Sequence, residues 1–401
     1  MNHSTEYNRR QFLRCVSAGT LAVATLPLSN AWGAEPSPVV NAAPYRPLVL
    51  IELKGANDGL NTWVPFEDPL YHAARPTIAL KKDAVLPISA QFGLHPELKH
   101  LRDVWAQGQL AVIQGVGYPQ PVLSHFRSTD IWDTGSTSEQ VLSTGWLTRA
   151  LALNPLSTGK NADFVSIGSN EMGPGQGGAK TINLAAAQSF VNQARLAKSN
   201  AAALAGALAH IAKVDNDIVG VAANINAKIE FKTEFLGPMA GTVRAAATVL
   251  ASRAAPVVRI TLGGFDTHRG QLADHARLMQ ALSQGIQSLQ AALTEQGLWQ
   301  DTLVLTTSEF GRRVRENASG GTDHGTASTL FATGGRAKGG VFGAAPSLSD
   351  LDATSNLKHS VDFRSVYASA LSQHWGMSPA VPLAVFAGAP SATLLPLGFI
   401  A

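Results

Sequence analysis

The chain has 401 residues, of which 45% are hydrophobic and 15% charged, with a formal net charge of +3. That balance excludes a largely disordered chain. Arg9, Arg10 and Arg14 stand against Glu6 near the N-terminus, so the remainder is close to neutral, with no nucleic-acid-binding stripe and no polybasic membrane patch.

From the N-terminus, Arg9-Arg10-Gln11-Phe12-Leu13-Arg14 precedes an apolar stretch from Val16 to Leu28. The stretch is shorter than the ~20 residues needed to cross a bilayer. Small residues follow at Ser29, Ala31, Gly33 and Ala34, where a signal peptidase would cut. Residues 1–34 are therefore expected to be a twin-arginine export signal. Such a signal implies the twin-arginine translocase as a transient partner, passage as a folded chain, and a periplasmic or extracellular destination. No later segment is long and apolar enough to span a membrane. Cys15, the only cysteine, lies inside the signal. The mature chain can then form no disulfide and offers neither a thiolate nucleophile nor a cysteine metal ligand. About 365 residues remain, enough for one large α/β domain or two smaller ones.

Residues 35–47 are rich in Pro and Ala and read as a linker, leaving 48–401 as the expected domain. Short aliphatic or β-branched runs bounded by Gly, Pro and Asn predict strands at Leu48–Leu53, Leu110–Gln114, Asp163–Ile167, Val257–Leu262, Leu303–Thr307 and Leu330–Thr333. Apolar residues at three- and four-residue steps predict a helix over Leu272–Gln296, with Gly297 closing it. A second amphipathic stretch covers Val361–Trp375. The segment Thr181–Ala255 is rich in Ala, Asn and Gln and is expected to be a helical insertion or cap. Strands alternating with helices predict an α/β fold, a central mostly parallel mixed sheet flanked by helices on both faces.

In such sheets ligands bind beyond the C-terminal ends of the strands. The polar residues of this chain recur there: Asp58 after the first strand, Ser124 and Arg127 after the second, Asp266 and His268 after the fourth, Glu309 and Arg312 after the fifth, then Asp323 and His324. The carboxylates of Asp58, Asp266, Glu309 and Asp323 and the imidazoles of His268 and His324 form a hard-to-borderline donor set. It suits Mg, Mn, Ca or Zn. Ser124 supplies a hydroxyl, and Arg127 and Arg312 could receive a tetrahedral anion. Each residue also has a plain structural alternative. Asn57-Asp58-Gly59 serves equally as a turn, Asp266 as a helix cap, and Glu309 as a partner of Arg312 or Arg313.

Several motifs in order carry a resemblance. They are Arg-Arg-x-Phe-Leu at the start, Leu-Lys-Gly-Ala-Asn-Asp-Gly-Leu-Asn at 53–61, Ser-His-Phe at 124–126 and Gly-Trp-Leu at 145–147. Gly-Gly-Phe-Asp-Thr-His at 263–268, Ser-Glu-Phe-Gly-Arg at 308–312 and Asp-His-Gly at 323–325 follow. Over nearly the whole mature chain this pattern resembles the bacterial domain-of-unknown-function 1501 family, itself similar to the alkaline phosphatase and sulfatase superfamily. The resemblance implies an alkaline-phosphatase-like sheet with a metal site at the strand ends. It also implies Asp58, Asp266, His268 and His324 as metal ligands, Glu309 in a further ligand position and Ser124 as nucleophile. The chain departs from the phosphatase pattern at Glu309-Phe310, where an adjacent Asp-His is usual. The spacing of Asp266 and His268 is also short, and no formylglycine context of the sulfatase type is present. The expected activity is metal-dependent hydrolysis of a small phosphate or related anionic ester. The alternative is a catalytically degenerate ligand-binding or cell-envelope scaffold protein of the same fold.

Overall fold

The computed structural model describes residues 44–156, 161–184 and 229–401. The expected export signal at 1–34, most of the expected linker and residues 185–228 of the expected insertion lie outside the described residues.

Apart from a small three-stranded sheet of Trp63–Val64, Leu86–Pro87 and Gly93–Leu94, the strands in chain order are β1 (Leu48–Lys54), β2 (Leu110–Gly117), β3 (Phe164–Ile167), β4 (Thr181–Leu184), β5 (Val257–Gly263) and β6 (Leu303–Thr307). They continue with β7 (Gly311–Glu316), β8 (Thr322–Gly325), β9 (Ser328–Thr333), β10 (Gly340–Phe342) and β11 (Val361–Asp362). Nine of them form the central sheet, in the order β10-β2-β9-β6-β1-β5-β3-β4, with β11 also paired to β2. All its neighbours pair in parallel except β9, which runs antiparallel to both β2 and β6. The sheet is thus mixed and largely parallel. β7 and β8 form a separate antiparallel hairpin, in which Arg312 pairs with His324.

Successive side chains of a strand point to opposite faces, and β1 shows the consequence. Val49, Ile51 and Leu53 enter one core cluster, while Leu48 and Leu50 enter the other. Burying each such side chain stabilises the fold by about 1.5–3 kcal/mol. The helices divide accordingly. They are α1 (Gly59–Thr62), α2 (Pro69–Ala74), α3 (Lys99–Ala106), α4 (His125–Thr134), α5 (Trp146–Leu153), α6 (Ala240–Ala251), α7 (Gln271–Glu295), α8 (Phe363–Ser369) and α9 (Ala380–Val385). Residues of α3, α6 and α7 pack on one face, and Trp132, Trp146, Phe363 and Tyr367 from α4, α5 and α8 pack on the other. Among the described residues no helix is long and apolar enough to cross a membrane.

Helix α7 buries Met279, Leu282, Ile286, Leu289 and Leu293 along one stripe. Gly297, at φ 68°, ends it, with the Leu298 amide donating to the Leu293 carbonyl at 2.7 Å. The 181–255 segment differs from the expected insertion where it is described. It opens as the edge strand β4 and ends as α6, a helix of the flanking layer that buries Val243, Val249 and Leu250. Alanine-rich composition marks a helix but does not say whether the helix covers the sheet or a pocket.

Three histidines in this framework predict its acid response. Burial is the chief cause that drives His95 to about 3, His275 to about 4 and His374 to about 3. The Nδ1 atoms of His275 and His374 have no hydrogen-bond partner among the described residues. Folded values below the unfolded one mean stability that is fully present above about pH 6.5 and is lost as pH falls toward the folded values. Each pH unit below about 6.5 is therefore expected to cost stability, on the order of a kcal/mol per histidine and not strictly additively, since His95 and His275 interact. Thermal melts between pH 7.5 and 5 should decline over this window, above the carboxylate range, and a flat melting temperature would contradict the assignment.

Candidate metal centre

The C-terminal ends of β1, β5 and β6 meet the β7–β8 hairpin and the start of α4. The turn after β1 runs so close to the turn after β5 that a Cβ at Gly55 would lie 2.5 Å from the Asp266 amide nitrogen. Gly55 also takes φ +113°, so only glycine suits the position. Arg312 holds the turns in place from inside. Its buried guanidinium donates to the carbonyls of Ala56 (2.8 Å), Thr322 (2.9 Å), Gly55 (2.5 Å) and Phe265 (3.0 Å), and to Asp266 Oδ1 (2.6 Å).

Three imidazoles gather around Asp266. Oδ1 lies 3.0 Å from His268 Nε2 and 3.1 Å from His324 Nε2, and Oδ2 lies 3.5 Å from His125 Nε2. The Nε2 atoms of His268 and His324 are themselves 3.1 Å apart. In each ring the other nitrogen faces an acceptor. His324 Nδ1 lies 2.9 Å from the Leu123 carbonyl, His125 Nδ1 2.8 Å from Glu309 Oε1, and His268 Nδ1 3.4 Å from Asp323 Oδ1. A carbonyl accepts only, so His324 Nδ1 is a donor to Leu123, which leaves Nε2 as the atom directed at Asp266. Three rings anchored through Nδ1, with Nε2 directed to one carboxylate, match the outer-layer arrangement of histidine metal ligands.

The donor set fits a divalent cation. Ligand atoms of His125, Asp266 and His324 all lie within 4.8 Å of one another. His125 Nε2 is buried with no hydrogen-bond partner among the described residues, an orphaned atom that a cation would satisfy. Two imidazoles and a carboxylate suit Zn or Mn and leave coordination positions open.

Electrostatics keep the central carboxylate ionised. Partial burial pushes Asp266 up, but the Arg312 hydrogen bond, His324 and the charges of Arg312 and His268 outweigh it and bring it to about 2. The Glu309 hydrogen bond raises His125 against the opposing effect of burial.

The structure brings together Asp266, His268 and His324 from the expected set and adds His125, which the sequence reasoning missed. His125 opens α4 within Ser-His-Phe, and a histidine at a helix start just past a strand end was the available signal. Five other expected residues are engaged with the protein itself. Asp58 was expected as a ligand, yet it is buried and fully engaged. It caps α1 through Leu60 N, pairs with Arg75 Nη1 (2.6 Å) and Nη2 (3.0 Å), and accepts from Gln271. Burial raises its pKa, and the charge and hydrogen bonds of Arg75 more than reverse this. Arg312 holds Asp266 and the turns and presents no fork to an anion. Arg127 is likewise committed, to Asp130 and to the carbonyls of Thr137, Ser138 and Gln140. Glu309 and Asp323 contact His125 Nδ1 and His268 Nδ1, on the far side of those rings from Asp266, and Glu309 Oε1 also accepts from Gly55 N at 2.8 Å. Ser124 is exposed at the start of α4 beside His125, and its hydroxyl makes no capping bond.

The family described as "Protein of unknown function (DUF1501)" matches residues 104–381, and the chain belongs to it. No curated protein matches the sequence. Solved structures similar to it include a protein in the alkaline phosphatase superfamily from Vibrio parahaemolyticus (9% identity, 85% of this chain and 71% of that one, TM-score 0.36). They also include the phosphonate monoester hydrolase SpPMH from Silicibacter pomeroyi (11%, 86% and 78%, 0.39) and the PsFucS1 sulfatase from Pseudoalteromonas sp. (12%, 88% and 70%, 0.37).

Proposed function

We propose that the protein is a divalent-metal-dependent hydrolase of small anionic esters, phosphate esters foremost, exported by the twin-arginine route to act outside the cytoplasm. The observation that carries the hydrolase reading is the convergence of three Nδ1-anchored imidazoles on the ionised carboxylate of Asp266. His125, His324 and Asp266 would hold the cation, with His268 beside them. A bound divalent cation supplies Lewis acidity toward an ester oxygen. The chain's own residues do the rest. Arg312 keeps Asp266 ionised and aimed, Glu309 and Asp323 orient His125 and His268, and exposed Ser124 offers an uncommitted hydroxyl as nucleophile.

A second reading is favoured by one observation. Arg127 and Arg312, the expected receivers of the ester's charge, are both spent on the protein itself. A family member that holds a metal and a ligand without turnover would tolerate that. Protein purified without chelator and assayed on phosphate mono- and diesters and sulfate esters separates the two. The hydrolase reading predicts turnover that a chelator abolishes and added metal restores, with Ser124→Ala lowering kcat at unchanged metal content. Stoichiometric metal with no turnover on the panel would favour the binding reading.

A further inference from the structure

Along β7, lined by none of the residues of the candidate centre, lies a groove of 510 Å³. Its volume falls within the roughly 300–1,000 Å³ of small-ligand sites. One wall is α2, with Leu70 43% exposed, and the other is β7, with Arg313, Val314 and Arg315. Leu348 and Leu351 complete the apolar lining. The groove is built rather than incidental. Behind it Val314 and Leu348 pack into a third apolar cluster with Leu60, Phe66 and Tyr71. Arg75, just past α2, joins the two walls by donating to the Val314 carbonyl at 2.8 Å and the Arg313 carbonyl at 2.9 Å.

The guanidiniums of Arg313 and Arg315 make no hydrogen bond or ion pair among the described residues. The carboxylates that feel the charge of Arg313 are Asp323 and Asp352. Both are already engaged, Asp323 with Asn317 and His268, and Asp352 with the Thr354 hydroxyl and the amides of Thr354 and Asn356. Two unspent cations at the edge of a preformed leucine-lined groove call for a ligand with an anionic head and an apolar body.

We propose that this groove binds a single-chain anionic amphiphile, its alkyl chain along Leu70, Leu348 and Leu351 and its headgroup at Arg313 and Arg315. The groove shares no lining residue with the metal centre, and the proposal does not rest on the reaction proposed there.

Calorimetric titration of the full chain with monomeric decyl phosphate, in the presence of a chelator, tests it. The expected result is saturable one-to-one binding, with decyl maltoside and inorganic phosphate each much weaker. Arg313→Ala with Arg315→Ala is expected to weaken binding by at least about tenfold. Leu70→Asp, at an exposed position where folding tolerates the change, should weaken it as well. Equal binding of decyl maltoside would show a merely apolar surface, and equal binding of inorganic phosphate a merely anionic one. Either result, binding that disappears with the chelator, or indifference to both sets of substitutions would overturn the proposal.

Discussion

Asp266→Ala is expected to lower divalent-metal affinity by more than about a hundredfold, the upper end for loss of an outer-layer partner, and to abolish any metal-dependent turnover. Asp266 is the carboxylate toward which all three Nε2 atoms point, and its loss removes the negative charge that offsets crowded imidazoles. Stability should fall as well, because the buried guanidinium of Arg312 loses its one carboxylate partner among the described residues, though by less than for an enclosed pair. The side chain is about half exposed, and Arg312 keeps its bonds to the carbonyls of Gly55, Ala56, Phe265 and Thr322. Glu309→Gln provides the graded comparison. It keeps the shape but weakens the acceptor behind His125, and an affinity loss of about 10–100-fold is expected. Metal titration with a competing chromophoric chelator, alongside thermal melts, checks both. An Asp266→Ala protein that binds metal as tightly as the parent would remove the residue from the site.

The second large effect falls on stability. Arg75→Met leaves Asp58 buried without its cation, and breaking a buried pair in this way costs about 3–5 kcal/mol. The pair is enclosed, with Asp58 1% and Arg75 0% exposed. Arg75 also bonds Asn61 and the β7 carbonyls, so its removal loosens the strand that carries Arg312 to the site. Urea denaturation should show the full loss in Arg75→Met and partial recovery when Asp58→Asn is added, because the stranded charge is then gone. If Arg75→Met instead left stability unchanged and weakened metal binding alone, Asp58 would return to the metal site.

Six strands of the central sheet were legible because a run buried on both faces is largely apolar or β-branched. Leu303–Thr307 was placed to the residue, and β1 within one. The direction of β9 was not legible, since nothing in Leu-Phe-Ala-Thr records which neighbours it meets or which way they run. Of the site, the strand-end location was readable, and so was the gathering of Asp266, His268 and His324. The differences from the expected site share one physical origin. Whether a charged side chain is free depends on partners that sequence does not reveal, such as Arg75 for Asp58 or the four carbonyls around Arg312. His125 was passed over for the opposite reason: its neighbour Ser124 drew the chemical role, while the vacant Nε2 of His125 appears only once α4 is docked.

The central claim is that one divalent cation sits among His125, Asp266 and His324. Anomalous scattering from crystals of the full chain grown with Mn or Zn locates the ion directly. The account predicts a peak coordinated by Nε2 of His125, Nε2 of His324 and a carboxylate oxygen of Asp266. An ion held at Asp58 instead, or no ordered ion at saturating metal, would contradict it.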